Sequence, residues 1–209
     1  TEAGDLKKAN EAFRWFVRFY NRKQPTDAET LLLIAEGAGE YARWNSNSSI
    51  FNFIINTLCT DALKDDPLSW QTHLASGSLL LEKYNRAQAI PDLKKALEIN
   101  PRAVSVIVAL GEAALQKHDV DSALTYAEQA LNVQDNYVPT LRLMADIALN
   151  KHSPDAAMLA LQEARKTNPF DSETLGRLAA THYLLDVQPG GDADDRLTSL
   201  LANLDAIDQ

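Results

Sequence analysis

Apolar residues return three and four positions apart through most of this chain, which is the spacing of one buried helix face. Residues 5–23 predict a first helix with Phe13, Phe16, Val17 and Tyr20 on one face, widened by Trp15 and Phe19. Thr26-Asp27-Ala28-Glu29 reads as a capping box, in which the Thr hydroxyl and the Glu carboxylate satisfy backbone donors at a helix start. The helix it opens runs to about residue 44, with Leu31, Ile34, Ala35 and Ala38 facing inward. A polar turn at 45–49 and a further helix at about 50–64 follow, closed by Asp66-Pro67.

From residue 70 the pattern becomes periodic. In the stretch 104–137, two short amphipathic helices join at a polar turn around His118 and Asp119, with Gly111, Ala123 and Ala130 where the helices must touch. A shift of 34 residues backward brings Gly77, Ala89, Leu93 and Ala96 onto Gly111, Ala123, Ala127 and Ala130. The same shift forward brings Ala145, Ala157, Leu161 and Ala164. Pro101 and Pro169 close the flanking units, with Asp135 at the equivalent place in the central one. Self-similarity at a fixed period names an architecture, because each unit buries its apolar face only against its neighbours.

These residues resemble the tetratricopeptide repeat (TPR), a helix–turn–helix unit of about 34 residues. Large aromatics common in its first helix are absent here, where His73, Ile107 and Leu141 stand instead, so the small-residue skeleton carries the likeness. The resemblance implies an all-α fold, a right-handed superhelical array of antiparallel helix pairs. It divides the chain into an aromatic and basic N-terminal helix or degenerate half-repeat (1–25), an irregular helix pair (26–69), three regular units (70–103, 104–137 and 138–171) and a C-terminal pair (172–209). The last pair has an expanded turn at 186–194, with Pro189-Gly190-Gly191, and a capping helix at about 193–207. Asp119 or Asp121, and Ser153 before Pro154, fit as N-caps of second helices. Pro91 falls near the first turn of a second helix, where its missing N–H is tolerated; deeper placement would bend the helix.

The resemblance also implies a function, since TPR arrays mostly bind other proteins along a concave groove lined by their first helices. Carried over position by position, the groove is Gln71, Leu74, Ser78, Leu81 and Glu82, then Ser105, Val108, Glu112, Leu115 and Gln116, then Arg142, Asp146, Leu149 and Asn150, with Glu173 and Tyr183. TPRs that grip chaperone C-terminal carboxylates place Lys and Asn where this chain has Leu74 and Ser78, then Val108 and Glu112, so that clamp is absent. Glu82, Glu112, Asp146 and Glu173 against Arg142 favour a neutral or basic protein segment, with Leu81, Leu115, Leu149 and Tyr183 for apolar contact. The blander reading is that any exposed helix face needs such polar residues.

Composition narrows the alternatives. The chain has 209 residues, 45% hydrophobic and 23% charged, as an ordered globular protein does. Its net charge of −9 is uneven, for Lys7, Lys8, Arg14, Arg18, Arg22 and Lys23 make the first helix basic and the rest strongly acidic. An acidic body argues against nucleic acid, whose phosphates demand a basic surface. The aromatic, basic first helix suits either a membrane interface or the end of a helix stack, and Pro25 at a repeat-closing position favours the stack. No apolar run approaches the roughly 20 residues of a membrane span, and no signal-peptide core is present. The chain begins at Thr1, not Met, which fits either a removed leader or a piece of something longer.

Candidate chemistry is sparse. Cys59 is the only cysteine and lies on an apolar helix face, as a buried inert thiol would. His118 and His152 occupy equivalent turns, but stacked repeats hold such residues roughly 10 Å apart, too far for a metal whose ligands stand at about 2 Å. His73 and His182 lack a partner at ligand spacing, and no HExxH, GxSxG, Walker A or CxxC pattern occurs. Asn47-Ser48-Ser49 matches a glycosylation sequon common by chance, and Gly37-Ala38-Gly39 lies inside a helical pattern, unlike a nucleotide loop. No enzyme, metal or cofactor is expected from these residues. The expected protein is a non-catalytic interaction scaffold, part of a larger bacterial protein. The alternatives are a repeat segment of a larger, metallopeptidase-like enzyme, and a module that self-associates through the aromatic first helix into a homo-oligomer.

Overall fold

The computed structural model describes residues 6–83 and 85–186, and among these the regular structure is helical throughout. The expected capping helix near the C-terminus and most of the expanded turn before it lie outside the described residues. The chain divides between Ala109 and Leu110 into two compact units.

The first unit contains α1 (Leu6–Lys23), α2 (Ala28–Trp44), α3 (Ser48–Phe53), a π-helical segment (Ile54–Cys59), α4 (Thr60–Asp65), α5 (Trp70–Glu82), α6 (Arg86–Ile99) and the start of α7 (Val104–Leu115). Its core gathers Leu31, Ile34 and Ala38 of α2 with Phe51, Ile54, Leu58 and Cys59, all less than 4% exposed. The aromatic face of α1 closes over this cluster through Phe16, Val17, Phe19 and Tyr20. The Phe16 ring lies directly against the bare Cα of Gly37, in the space a Cβ would occupy. Gly77 plays the same part between α5 and α6, where an added Cβ would come within 2.7 Å of the Leu93 side chain.

The second unit holds the rest of α7 with α8 (Val120–Val133), α9 (Val138–Asn150), α10 (Pro154–Thr167) and α11 (Ser172–Asp186). Ala123, Ala127 and Ala130 of α8 are fully buried, and Gly111 faces Leu143 and Tyr126. Ala145, Ala157, Leu161, Leu175 and Leu178 form the cluster that joins α9, α10 and α11. Small residues at the crossings let backbones approach closely enough for these leucines to interlock.

Local details depart from the sequence expectations. The cap of α2 is Asp27, not Thr26: its Oδ1 accepts from the Thr30 backbone N–H at 2.8 Å. The helix starts one residue later than a capping box on Thr26 would place it, and Asp65 accepts from Ala28 N–H at 2.8 Å. The expected helix at 50–64 is an α–π–α run from Ser48 to Asp65. Pro91 lies inside α6, beyond its first turn, and so denies the Ala87 carbonyl its helical donor. Both residues are exposed, where water can take the donor's place. Asp119 caps α8 through Ser122 N–H at 3.1 Å, whereas Ser153 stands at the N-cap of α10 without a side-chain bond. His118 and His152 stand in the turns after α7 and α9, at φ 61° and 54° in the left-handed region.

Candidate functional site

A cleft of about 660 Å³ opens in the first unit between α1, α2 and α5. Its apolar lining comes from Phe13, Phe16, Trp70 and Leu74, and Gly37 and Gly39 line it as well. Gln71, Leu74 and Ser78, all named by the sequence reading, line it. Leu81 does not, being only 4% exposed. Glu82 is committed elsewhere: Arg43 donates to its carboxylate through Nη2 at 2.6 Å and Nε at 3.0 Å, and Arg43 also pairs with Glu40.

In the second unit a groove of about 460 Å³ runs over α7, α9 and α11. It is lined by Glu112, Leu115, Gln116, Asp146, Leu149 and Asn150, which sequence reasoning had placed together, and by Arg177, which it missed. Helical spacing explains the first six: Glu112 and Leu115 share one face of α7 with Gln116 just past its end, and Asp146, Leu149 and Asn150 repeat the spacing on α9. Ser105 is half-buried and outside the groove, and Val108 is 3% exposed, so its side chain has almost no surface to offer. Tyr183 is 61% exposed on α11 but does not line the groove.

The charges expected to make the groove acidic are largely paired off. Arg177 Nε donates to both oxygens of Asp146, at 3.1 and 3.2 Å, and its Nη1 to Glu173 at 3.2 Å. Arg142 pairs with Asp171 at 2.7 Å and with Glu173 at 3.3 Å. Asp171 also caps α11 by accepting from Thr174 N–H at 2.9 Å. Burial pulls its carboxyl upward, but the bonds from Thr174 and Arg142 outweigh it and hold the group below its ordinary value.

Glu112 is different. It forms no ion pair with any described residue, and solvent reaches it. The surrounding groove walls strip part of its hydration and push its carboxyl above the ordinary value, against the pull of Arg142 and Arg177 and with the push of Glu173 and Asp146. A signal for Arg177 was present in the sequence, since Glu173 and Arg177 stand four apart on one helix face. Arg43 had a local signal in Glu40, three positions before it, but none for Glu82, which is 39 positions away.

The remaining chemistry is structural in character. The Cys59 thiol is buried and pushed up to about 12 by desolvation, far from a nucleophile's range. His73 does have an acidic neighbour, contrary to expectation: Asp92 Oδ1 lies 3.4 Å from its Nδ1, and Ser76 donates to the same carboxylate at 2.7 Å. Serine and histidine share the acid without bonding to each other, so the histidine does not activate the hydroxyl. Among the described residues no three His, Cys, Asp or Glu side chains gather as a metal site would need, and no helix is long and apolar enough to cross a membrane.

No model of a known protein family matches the chain, and no curated protein matches it by sequence. Solved structures do. A thermophilic TPR protein of Thermus thermophilus superposes with a TM-score of 0.58 at 18% identity, covering 81% of this chain and 98% of its own. PilF of Pseudomonas aeruginosa gives 0.63 at 14% identity, over 87% and 75% of the two chains. The Cut9-Hcn1 hetero-tetramer of the APC/C gives 0.68 at 18% identity, over 97% of this chain and 38% of that one. At such identities the likeness speaks to architecture alone, and it joins the helix pairs and their small-residue crossings in one conclusion: the chain has the fold of tetratricopeptide-repeat proteins.

Proposed function

We propose that this chain is a non-catalytic interaction module that holds a segment of a partner protein against the open faces of its first helices. The observation that carries this reading is that the two clefts, one in each unit, open along first helices of the pairs, α2 and α5 in one and α7, α9 and α11 in the other, with α1 supplying a further wall of the first. Each cleft is lined by apolar and polar side chains together, the make-up of a site that binds by shape and orients by hydrogen bonds. One structurally similar chain comes from a complex of two proteins, the APC/C hetero-tetramer Cut9-Hcn1.

The segment favoured is neutral or basic, in keeping with a net charge of −9. A second reading, association of two copies through α1, rests on Trp15, which stays 52% exposed and stacks on Phe19. The rest of that aromatic face is spent on the chain's own core.

Capture from source-cell lysate tests the proposal, with wild-type protein compared against a variant carrying Gln71→Arg and Asn150→Arg. Both positions are exposed and line the clefts, so the fold is expected to survive and the clefts to be blocked. A protein held by wild type and lost from the variant is the expected result. Equal retention by both would put binding off these faces and overturn the reading.

A further inference from the structure

We infer that the groove of α7, α9 and α11 receives one basic side chain of an extended partner segment, with its aliphatic stem on Leu115 and Leu149 and its cationic head on the Glu112 carboxylate. The inference rests on the proposed function and names the chemistry of the anchor.

Charge compensation around this groove is incomplete. Four carboxylates, Glu112, Asp146, Asp171 and Glu173, face two guanidiniums, Arg142 and Arg177. Asp146 has both oxygens on Arg177, Asp171 has Arg142 and the start of α11, and Glu173 is shared by the two arginines. Glu112 alone of the four makes no close ion pair among the described residues, feeling Arg142 and Arg177 only at longer range, and it lines the groove at α7. The deficit favours a cation and disfavours a phosphate or carboxylate.

The surroundings fit a long basic side chain. Leu115 and Leu149 offer apolar surface for its methylenes, as such stems prefer. Asn150 donates its amide N–H to the Asp146 carbonyl oxygen at 3.0 Å, so its own carbonyl oxygen is the end left to accept from a guanidinium or ammonium. The volume of about 460 Å³ leaves room for flanking residues as well. Part of the desolvation that binding requires has already been imposed on Glu112 by the groove walls, which is why its carboxyl is pushed upward in the free protein. An arriving cation therefore meets a carboxylate that water no longer fully satisfies.

The test uses two synthetic probes, acetyl-Ala-Leu-Arg-Leu-Ala-amide and the same peptide with citrulline, a neutral analogue of equal shape, in place of arginine. Each is titrated into isotopically labelled protein while backbone amide shifts are followed. The arginine peptide is expected to move the amides of Glu112, Leu115, Leu149 and Asn150, with an apparent affinity roughly tenfold above that of the citrulline peptide, as one charge-assisted bond implies. Glu112→Gln should erase that preference, while Glu128→Gln, an exposed acid on α8, should leave it intact. If both peptides move the groove amides equally, the basic anchor is refuted and the groove still holds a segment. If the preference survives Glu112→Gln, the assignment to Glu112 is refuted. If neither peptide moves these amides, the inference falls, and the lysate capture separately decides the reading beneath it.

Discussion

Gly37 and Gly39 stand two residues apart on α2 and meet opposite neighbours. A Cβ on Gly37 would enter the Phe16 ring, whereas one on Gly39 would find only Arg43 Nη1 at 3.6 Å, an ordinary contact. Gly37→Ala is expected to cost about 1–3 kcal/mol in urea unfolding, as overpacking does. Gly39→Ala should gain about 0.5–1 kcal/mol, because alanine restricts the unfolded chain and suits a helix interior. The sequence showed both as small residues in a helix, but which of them touches a neighbour depends on where α1 lies. Gly77 and Gly111 were readable because their period marks them as crossing points. Glu112 was readable as a groove residue, yet not as the unpaired one, since that depends on Arg177 reaching Asp146. Its raised carboxyl makes a pH prediction. The folded chain binds that proton more tightly than the unfolded chain does, so stability falls as pH rises from the ordinary value of 4.5 through the raised one. Facing it are Arg142, Arg177, Glu173, Asp146 and Tyr137. Glu112→Gln should therefore raise Tm by about 1–2 °C at pH 7, a modest figure because solvent screens the group, and leave it unchanged at pH 4.

At the scale of elements, α11 begins on a residue with two tasks. Asp171 accepts from Thr174 N–H and pairs with Arg142 of α9, so one carboxylate both starts a helix and ties it to its neighbour. Asp171→Ala should cost about 1–2 kcal/mol at pH 7, mostly as a lost cap. Its carboxyl is held below the ordinary 3.8, so the stability it contributes is present above that value and disappears as pH falls through the lowered one. Chemical unfolding at pH 7 and near pH 2 should show the cost and then its loss. Caps of this kind are only partly legible in sequence. Thr26 and Asp27 are adjacent and both capable, and a shift of one residue in the helix start decides between them. The π-helical segment was invisible for a similar reason: Phe51, Ile54, Leu58 and Ala62 already satisfy an α-helical spacing.

For the molecule as a whole, stability in such an array is a sum of local interfaces, so damage in one place need not spread evenly. All three tryptophans, Trp15, Trp44 and Trp70, belong to the first unit, whereas helical circular dichroism reports on both. Phe16→Ala removes the ring that α1 lays on Gly37 and should cost about 2–3 kcal/mol, less than a fully buried phenylalanine because Phe16 keeps some exposure. Its tryptophan fluorescence midpoint in urea should fall further than its dichroism midpoint. Coincident shifts would mean that the chain melts as one cooperative body.

The π-helical segment carries one more consequence, for the tolerance of this chain to lost residues. Deleting a residue from an α-helix normally rotates everything beyond it off its buried face. In Ile54–Cys59 the neighbours Leu58 and Cys59 are both buried, at 0% and 2% exposure, which i→i+5 bonding accommodates. Removing the exposed Asn56 would leave Ile54, Leu58, Cys59 and Ala62 at successive offsets of three, four and seven from Ile54, an ordinary α-helical stripe. A single-codon deletion, commonly the harshest change a helix can suffer, has here a backbone able to absorb it by relaxing into a plain α-helix.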